Sequence, residues 1–231
     1  MSSLAAELTP ERAAGPRSSK GARTRARLLG AAKEIFEENG FLEARISDIA
    51  ERAGLSHGSF YHYFDSKEQI FREVAAAVDD ELGAPLSDVI LSPSSSGMPP
   101  RDRLHEALRL HFETYRKQAR IMGIIEEVSR YDDHVRDLLL ARHRQYTGQV
   151  AESIRQMQKR GMADRGLDPT VAAAVVGALT GRFAELWLVQ GAVECSFDDA
   201  VEQVTRLIVN ALGVGAAAGP TSAGRGRAVP S

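Results

Sequence analysis

The run at residues 46–64, ISDIAERAGLSHGSFYHYF, restricts what this chain can fold into more than any other segment. It reads as two short helices crossing steeply through a tight turn. Such a crossing needs a small side chain where the helices meet, and Ala50 is placed there. The turn needs a residue that tolerates positive φ, and Gly54 supplies it. Ile49, Ala53, Leu55 and Phe60 are the apolar residues that pin the corner, with Ile46 at the entry. Ser47 and Ser56 are candidate N-caps for the two helices. The second helix is then about seven residues, roughly 10 Å long. That length suits three or four base pairs of one major groove, so residues 45–64 are expected to form a helix-turn-helix.

The second helix presents His57, Gly58, Ser59, Tyr61, His62 and Tyr63. Hydroxyl and imidazole groups bond both phosphates and base edges. Lys67 opens the next helix, where an amine and a helix N-terminus suit a phosphate. Ser66 and Gln69 fit a capping box for that helix, which is expected over residues 66–84. The formal net charge of −2 excludes a uniformly basic coat, so any attraction for nucleic acid must be local. Residues 1–30 hold six cations, among them Arg17, Lys20, Arg23, Arg25 and Arg27, against Glu7 and Glu11. Residues 1–18 read as a disordered arm, and the basic run that follows reads either as a solvated tail or as a phosphate-seeking arm.

The periodicity elsewhere is helical throughout, and the chain reads as all-α. Leu28, Ala31, Ala32, Ile35 and Phe36 mark a first helix that Gly40 closes. The N-terminal unit, residues 19–82, is thus a three-helix helix-turn-helix domain followed by the helix from Ser66. The segment SPSSSGMPP at 92–100 is a loop, and Pro100 begins a helix carrying Leu108, Phe112 and Tyr115. IMGIIEEV at 121–128 is a short apolar helix, and a long amphipathic one covers about 132–160. Asp168-Pro169 opens an almost wholly apolar helix to about 190, and Ser196 with Asp199 starts the last, ending at Gly213. Residues 83–213 form a second helical domain, and 214–231 read as a disordered tail.

Other chemistry is poorly supported. Cys195 stands alone, which suits a reducing cytoplasm and gives no disulfide or CxxC site. Asp132, Asp133 and His134, or His105 with His111, lack a diagnostic metal spacing such as HExxH. No catalytic residue, metal or cofactor is expected, and an enzyme is the minor rival reading. No apolar run approaches the roughly 18 residues of a membrane span, and no apolar signal core is present. The expected location is the cytoplasm.

The stretch RLLGAAKEIFEENGF followed by SDIAERAGLSHGSFYHYFDSKEQIF resembles the TetR family of bacterial transcriptional regulators. About 60 residues carry the resemblance, and YHYF followed by SKEQIF is its most specific part. Arg45 departs from it, standing where a threonine is more usual. The resemblance implies phosphate contacts from Arg45, Ser47, Tyr61, Tyr63 and Lys67, and groove contacts from His57, Gly58 and Ser59. It implies a homodimer on a palindromic double-stranded operator, released by a small-molecule effector. An activator is the alternative within the same class.

Two surfaces of the second domain follow. The dimer interface is expected on the last two helices, at Val171, Ala174, Val175, Ala178, Val201, Val204, Leu207 and Ile208. Ala174, Gly177, Ala178 and Gly181 would allow close helix approach. The effector pocket is expected at Leu108, Phe112, Tyr115, Ile121, Ile124, Ile125, Tyr146, Val150, Phe183 and Trp187, whose tone suits a hydrophobic or amphipathic ligand.

Overall fold

The computed structural model describes residues 19–91 and 97–214. The expected N-terminal arm and the tail beyond residue 214 lie outside them. Among the described residues there is no strand. The chain divides into two units, one through Val74 and one from Ala75.

The first unit begins with α1 (Ser19–Glu43), interrupted at Gly40, whose φ of 75° breaks the helical path as the sequence implied. Leu28, Ala31, Ala32, Ile35 and Phe36 form its buried stripe. Then come α2 (Ile46–Arg52), α3 (His57–Phe60) and the start of α4 (Lys67–Leu91). Phe36, Phe41 and Phe71 pack as an aromatic cluster with ring centroids 4.8–5.9 Å apart. Ile49, Phe60, Phe64 and Ile70 are almost completely buried, closing a core under the α2–α3 corner. Burying each such side chain contributes about 1.5–3 kcal/mol.

The corner is a Schellman turn. Leu55 N–H donates to the Ala50 carbonyl at 2.8 Å, and Gly54 N–H to the Glu51 carbonyl at 2.8 Å. Gly54 has φ 66°, a left-handed conformation costly for an L side chain. The guanidinium of Arg27, from α1, donates to the Ala53 carbonyl and covers the end of α2. Ser56 caps α3, its hydroxyl accepting from Ser59 N–H at 3.3 Å. Ser47 is not the cap of α2 that the sequence suggested. Arg45 occupies the N-cap position with no side-chain bond, and the Ser47 hydroxyl donates to Asp48 instead.

The reading helix is also shorter than expected. Its α-helical part spans four residues, and the chain continues through tight i→i+3 bonds, His62 N–H to Ser59 and Tyr63 N–H to Phe60. The 3₁₀ winding keeps the backbone turning to Phe64, whose ring is buried against Phe60. Ser66 accepts from Gln69 N–H at 3.1 Å, as a capping box requires, while the Gln69 amide oxygen reaches Asp65 N–H, one residue further out. Helix α4 outruns its expected end despite Gly83 and Pro85. A proline removes one donor, a cost that a long helix can absorb.

The second unit holds the rest of α4, α5 (Pro100–Lys117), α6 (Ala119–Ser129), α7 (Asp133–Lys159), α8 (Pro169–Ala184) and α9 (Phe197–Ala211). Asp132 and Asp168 cap α7 and α8, each accepting two backbone N–H bonds. The last turns of α8 wind as a π-helical segment, Glu185–Val189. Together they make a 21-residue helix long and apolar enough to cross a membrane by length and composition, which corrects the expectation of no such run. Only 17% of its most apolar window is buried. Phe112, Phe183 and Trp187 form an aromatic cluster at 5.6–5.8 Å that joins α5 to α8. Helix α9 packs against α5.

Two outcomes are expected. Gly54→Ala should destabilise the first unit by about 1–2 kcal/mol through its φ. A Cβ there would also lie 2.8 Å from the Arg27 guanidinium and push it off the Ala53 carbonyl. Chemical denaturation followed by helical signal measures this loss. The second concerns His111, whose imidazole burial pushes down to about 4, opposed by the Leu82 carbonyl 3.4 Å from Nδ1. The unfolded chain protonates this group near pH 6.5, the folded chain only near pH 4. Its contribution is therefore complete above about pH 6.5 and falls as the pH drops toward 4. Between pH 7 and 4 the unaltered protein should lose about 3 kcal/mol more stability than His111→Gln. Denaturation curves at stepped pH test this, and parallel losses in the two proteins would contradict it.

Candidate nucleic-acid interface and effector cavity

The helix-turn-helix displays its polar residues on one exposed stretch. Arg45, Ser47, Ser56, His57, Gly58, Tyr61 and His62 are exposed, and Ser59 and Tyr63 are half-buried. The Arg45 side chain has no hydrogen-bond or ion-pair partner among the described residues, so its guanidinium is free for an outside anion. The His57 and Tyr61 rings meet edge to face at 5.4 Å, and Tyr61 also rests on Phe60. A buried phenylalanine thus orients an exposed tyrosine and, through it, an imidazole. Ser56 and Ser59 share a hydroxyl bond at 2.8 Å.

Lys67 is used differently from the phosphate contact that the resemblance implied. Its ammonium donates to the carbonyls of Phe41, Leu42 and Ala44 at 2.8–3.0 Å and lies 4.8 Å from the Phe41 ring centre. An ammonium has three donors, and all three are engaged. In this arrangement Lys67 ties the loop that carries Arg45 to the start of α4. Nothing in its composition announces this role, because it depends on where α1 ends.

The charge around the motif is selective. Residues 19–74 hold nine cations and nine carboxylates. Arg25 is paired with Glu73 and sits 4.8 Å above the Phe64 ring, so it is spent on the core rather than on phosphates. Arg52 binds Glu34 and Glu38 on α1 at 2.7–3.0 Å, which holds its charge even more firmly than usual. Arg45 remains, with exposed Lys20 and Arg23 on the first turns of α1.

The second unit encloses a cavity of about 560 Å³. Of the ten residues expected to line it, Leu108, Tyr115, Tyr146 and Val150 do. Phe112, Ile121 and Ile125 are buried core, and Phe183 and Trp187 belong to the aromatic cluster. Ile124 is half-buried away from the lining. Apolar periodicity could not separate the two roles, since core and cavity share the inner faces of helices. The sequence did not assign to the cavity the other polar lining residues, among them Asp79, Arg103, His111, Glu126, Arg182 and Glu185, nor Leu82 of α4; Arg142, which it offered as a contact for an anionic head group, does line the cavity. Arg142 binds Asp79 at 3.1 Å and also pairs with Asp80. Burial raises the Asp79 carboxyl, and Arg142 counters that.

The expected dimer residues also divide. Val201, Val204 and Ile208 are buried within the unit, because their stripe on α9 packs against α5. They are intramolecular core rather than interface. Val171, Val175 and Leu207 are 62%, 59% and 57% exposed, with Ala178 and Leu179 open beside them. Ala174 is half-buried. The small residues serve an internal contact too: a Cβ at Gly177 would lie 3.5 Å from the His143 ring, so α8 runs close to α7. Asp132 is engaged as a helix cap, and no group of three or more metal-ligating side chains occurs among the described residues.

Residues 28–74 match the model of the bacterial regulatory proteins of the TetR family. The regulator UidR of Escherichia coli is 29% identical over 176 residues, 75% of this chain and 87% of that protein. The repressor KstR2 of Rhodococcus jostii is 28% identical over 150 residues, 65% of this chain and 68% of that one. The crystal structure of Bacillus subtilis FadR in complex with stearoyl-CoA superposes with a TM-score of 0.67 over 80% of this chain and 97% of that one, at 18% identity. The matched segment covers the described corner, so residues 28–74 are a helix-turn-helix of the TetR type, and the fold shared with the solved structure extends beyond it.

Proposed function

We propose that this regulator is a ligand-responsive repressor that binds a palindromic operator as a homodimer in the bacterial cytoplasm. The observation that carries the reading is the exposed set of His57, Tyr61 and His62, with half-buried Ser59 among them, on a turn held rigid from beneath, and an Arg45 with an unpaired side chain nearby in sequence. His57, Gly58 and Ser59 enter the groove. Arg45, Ser47, Tyr61 and Tyr63 bind phosphates, and Lys67 holds the Arg45 loop in position. A reading head this short discriminates few base pairs, each worth about 1–3 kcal/mol, so two heads per operator supply the specificity.

The open apolar residues of α8 and α9 support self-association. Val171, Val175 and Leu179 on α8 and Leu207 on α9 leave apolar side chains open to a partner. A twofold partner presenting the same residues would cover them. The cavity supports a small-molecule effector, and Asp79 and Leu82 of α4 belong to its lining. Ligand contacts on α4 would bias the helix that also carries Lys67. To switch occupancy strongly, the effector must prefer one state by roughly 3–5 kcal/mol.

Genomic footprinting followed by titration of the recovered duplex tests the reading. Eight phosphate contacts per dimer predict a log–log salt slope near −7. Arg45→Ala should weaken binding evenly across sequences and flatten the slope, whereas His57→Ala should change base preference. Lys67→Met should weaken binding while leaving the slope nearly unchanged, because its charge is spent on carbonyls. A slope loss equal to that of Arg45→Ala would return Lys67 to the phosphates. Val175→Glu with Leu207→Glu should yield a folded monomer by sedimentation and reduce operator affinity at least tenfold. A dimer surviving both changes would place the interface elsewhere.

A further inference from the structure

The cavity's polar groups differ in whether the protein already satisfies them. Arg142 is engaged by Asp79 and Asp80. Arg182 binds Glu185 at 2.6 Å, and Glu185 also accepts from Gln190 at 2.8 Å. Glu126 of α6 is the exception among the carboxylates. It is half-buried in the lining, and its side chain has no hydrogen bond or ion pair among the described residues. Burial and then the charge of Glu185 push its carboxyl above the ordinary range, and Arg130 and Arg182 offset this only in part.

Tyr115 is an independent pointer to a ligand at the same end. It is only 4% exposed, it lines the cavity, and its hydroxyl has no partner among the described residues. Tyr115 of α5, Glu126 of α6 and Glu185 at the π-helical end of α8 all line the cavity, and the charges of both carboxylates act on the Tyr115 hydroxyl, opposed by Arg182. The rest of the wall is largely apolar, with Leu108, Leu139, Val150 and Met157 in it.

We propose that the effector is a lipophilic cation, an apolar body with one basic nitrogen, and that Glu126 is its counter-ion with the Tyr115 hydroxyl and ring beside it. The proposal rests on reading this cavity as the effector site. A carboxylate at this end would meet the unpaired Glu126, while the lining cation there, Arg182, is already paired with Glu185. A cation gains the unpaired carboxylate, and the face of an aromatic ring adds to its stabilisation. Arg136, Arg142 and Arg182 in the lining are each paired with a carboxylate, whereas Arg103 has no ion pair among the described residues and favours an anion. It precedes Tyr115 by twelve positions on α5, about 18 Å along the helix. An anion there would leave Glu126 uncompensated.

Three probes with one body separate the choices: decylamine, decanol and decanoate, titrated calorimetrically into the full-length protein. Decylamine is expected to bind at least tenfold more tightly than either other probe. Glu126→Gln, which keeps the side-chain size, should remove that preference and leave decanol affinity within twofold. Glu126→Asp, which keeps the charge, should restore part of it and shows that the site remains folded. Equal binding of decylamine and decanol, or no effect of Glu126→Gln, overturns the proposal. Tight decanoate binding that Arg103→Gln abolishes overturns it in favour of an anion at the other end. In either case the cavity still stands as a ligand site. Failure of all three probes to bind would reject the cavity reading together with the proposal.

Discussion

Everything the first unit presents outward depends on one turn, the chain reversal at Gly54. Two backbone bonds to Ala50 and Glu51 fix how α3 leaves α2, and a positive φ at Gly54 is what allows both. The turn is short because its energy is local. Its direction is held by longer-range contacts: Arg27 on the Ala53 carbonyl and the buried rings of Phe60 and Phe64. A reading helix of one α-turn and one 3₁₀-turn has too few internal bonds to stand alone. It is ordered because its buried face cannot leave the core, so the exposed side chains inherit rigidity from residues that never meet the operator.

Charge is handled by the same economy. A unit with equal numbers of cations and carboxylates would attract a polyanion weakly if all were equally free. Pairing sorts them. Arg25 and Arg52 neutralise Glu73, Glu34 and Glu38 while cross-linking helices, and Lys67 neutralises the carbonyl ends of the α1 loop. Exposed ion pairs of this kind add little stability. Their larger effect is to leave Arg45 uncommitted beside the motif. An arginine where the resemblance leads one to expect threonine thus adds a free cation at the entry of α2 and no packing contact.

The sequence disclosed the corner fully and the periphery partly, and the division has a physical reason. Ala50, Gly54, Leu55 and Ser56 act through bonds spanning three to five residues, so their types and spacing suffice to read them. Lys67 acts across 23 to 26 residues on three carbonyls, which no local pattern encodes. The α9 stripe of Val201, Val204 and Ile208 showed that the helix has a buried side without showing what buries it, and α5 does. The effector cavity was the least legible part. Its apolar wall is indistinguishable from core in a helical pattern, and its charged lining reads as solvated helix surface until tertiary structure turns it inward.

Helix α4 is where these two levels of description meet. One continuous helix carries Lys67, whose donors hold the loop before α2, and Asp79 and Leu82, which belong to the cavity wall. A helix transmits displacement because its backbone bonds resist bending more than its side-chain contacts resist sliding. The ion pairs of Asp79 and Asp80 with Arg142 therefore act as an anchor between α4 and α7 within the second unit. A ligand can alter that anchor only by contacting it or by moving α7. The apolar body of a ligand lying along Leu139, Val150 and Met157 of α7 would do the latter. If the cavity is the effector site, recognition at Glu126 and response at α4 would be separable functions of it, joined through α7. A ligand could satisfy the first and still fail to induce if its body were too short to reach that helix.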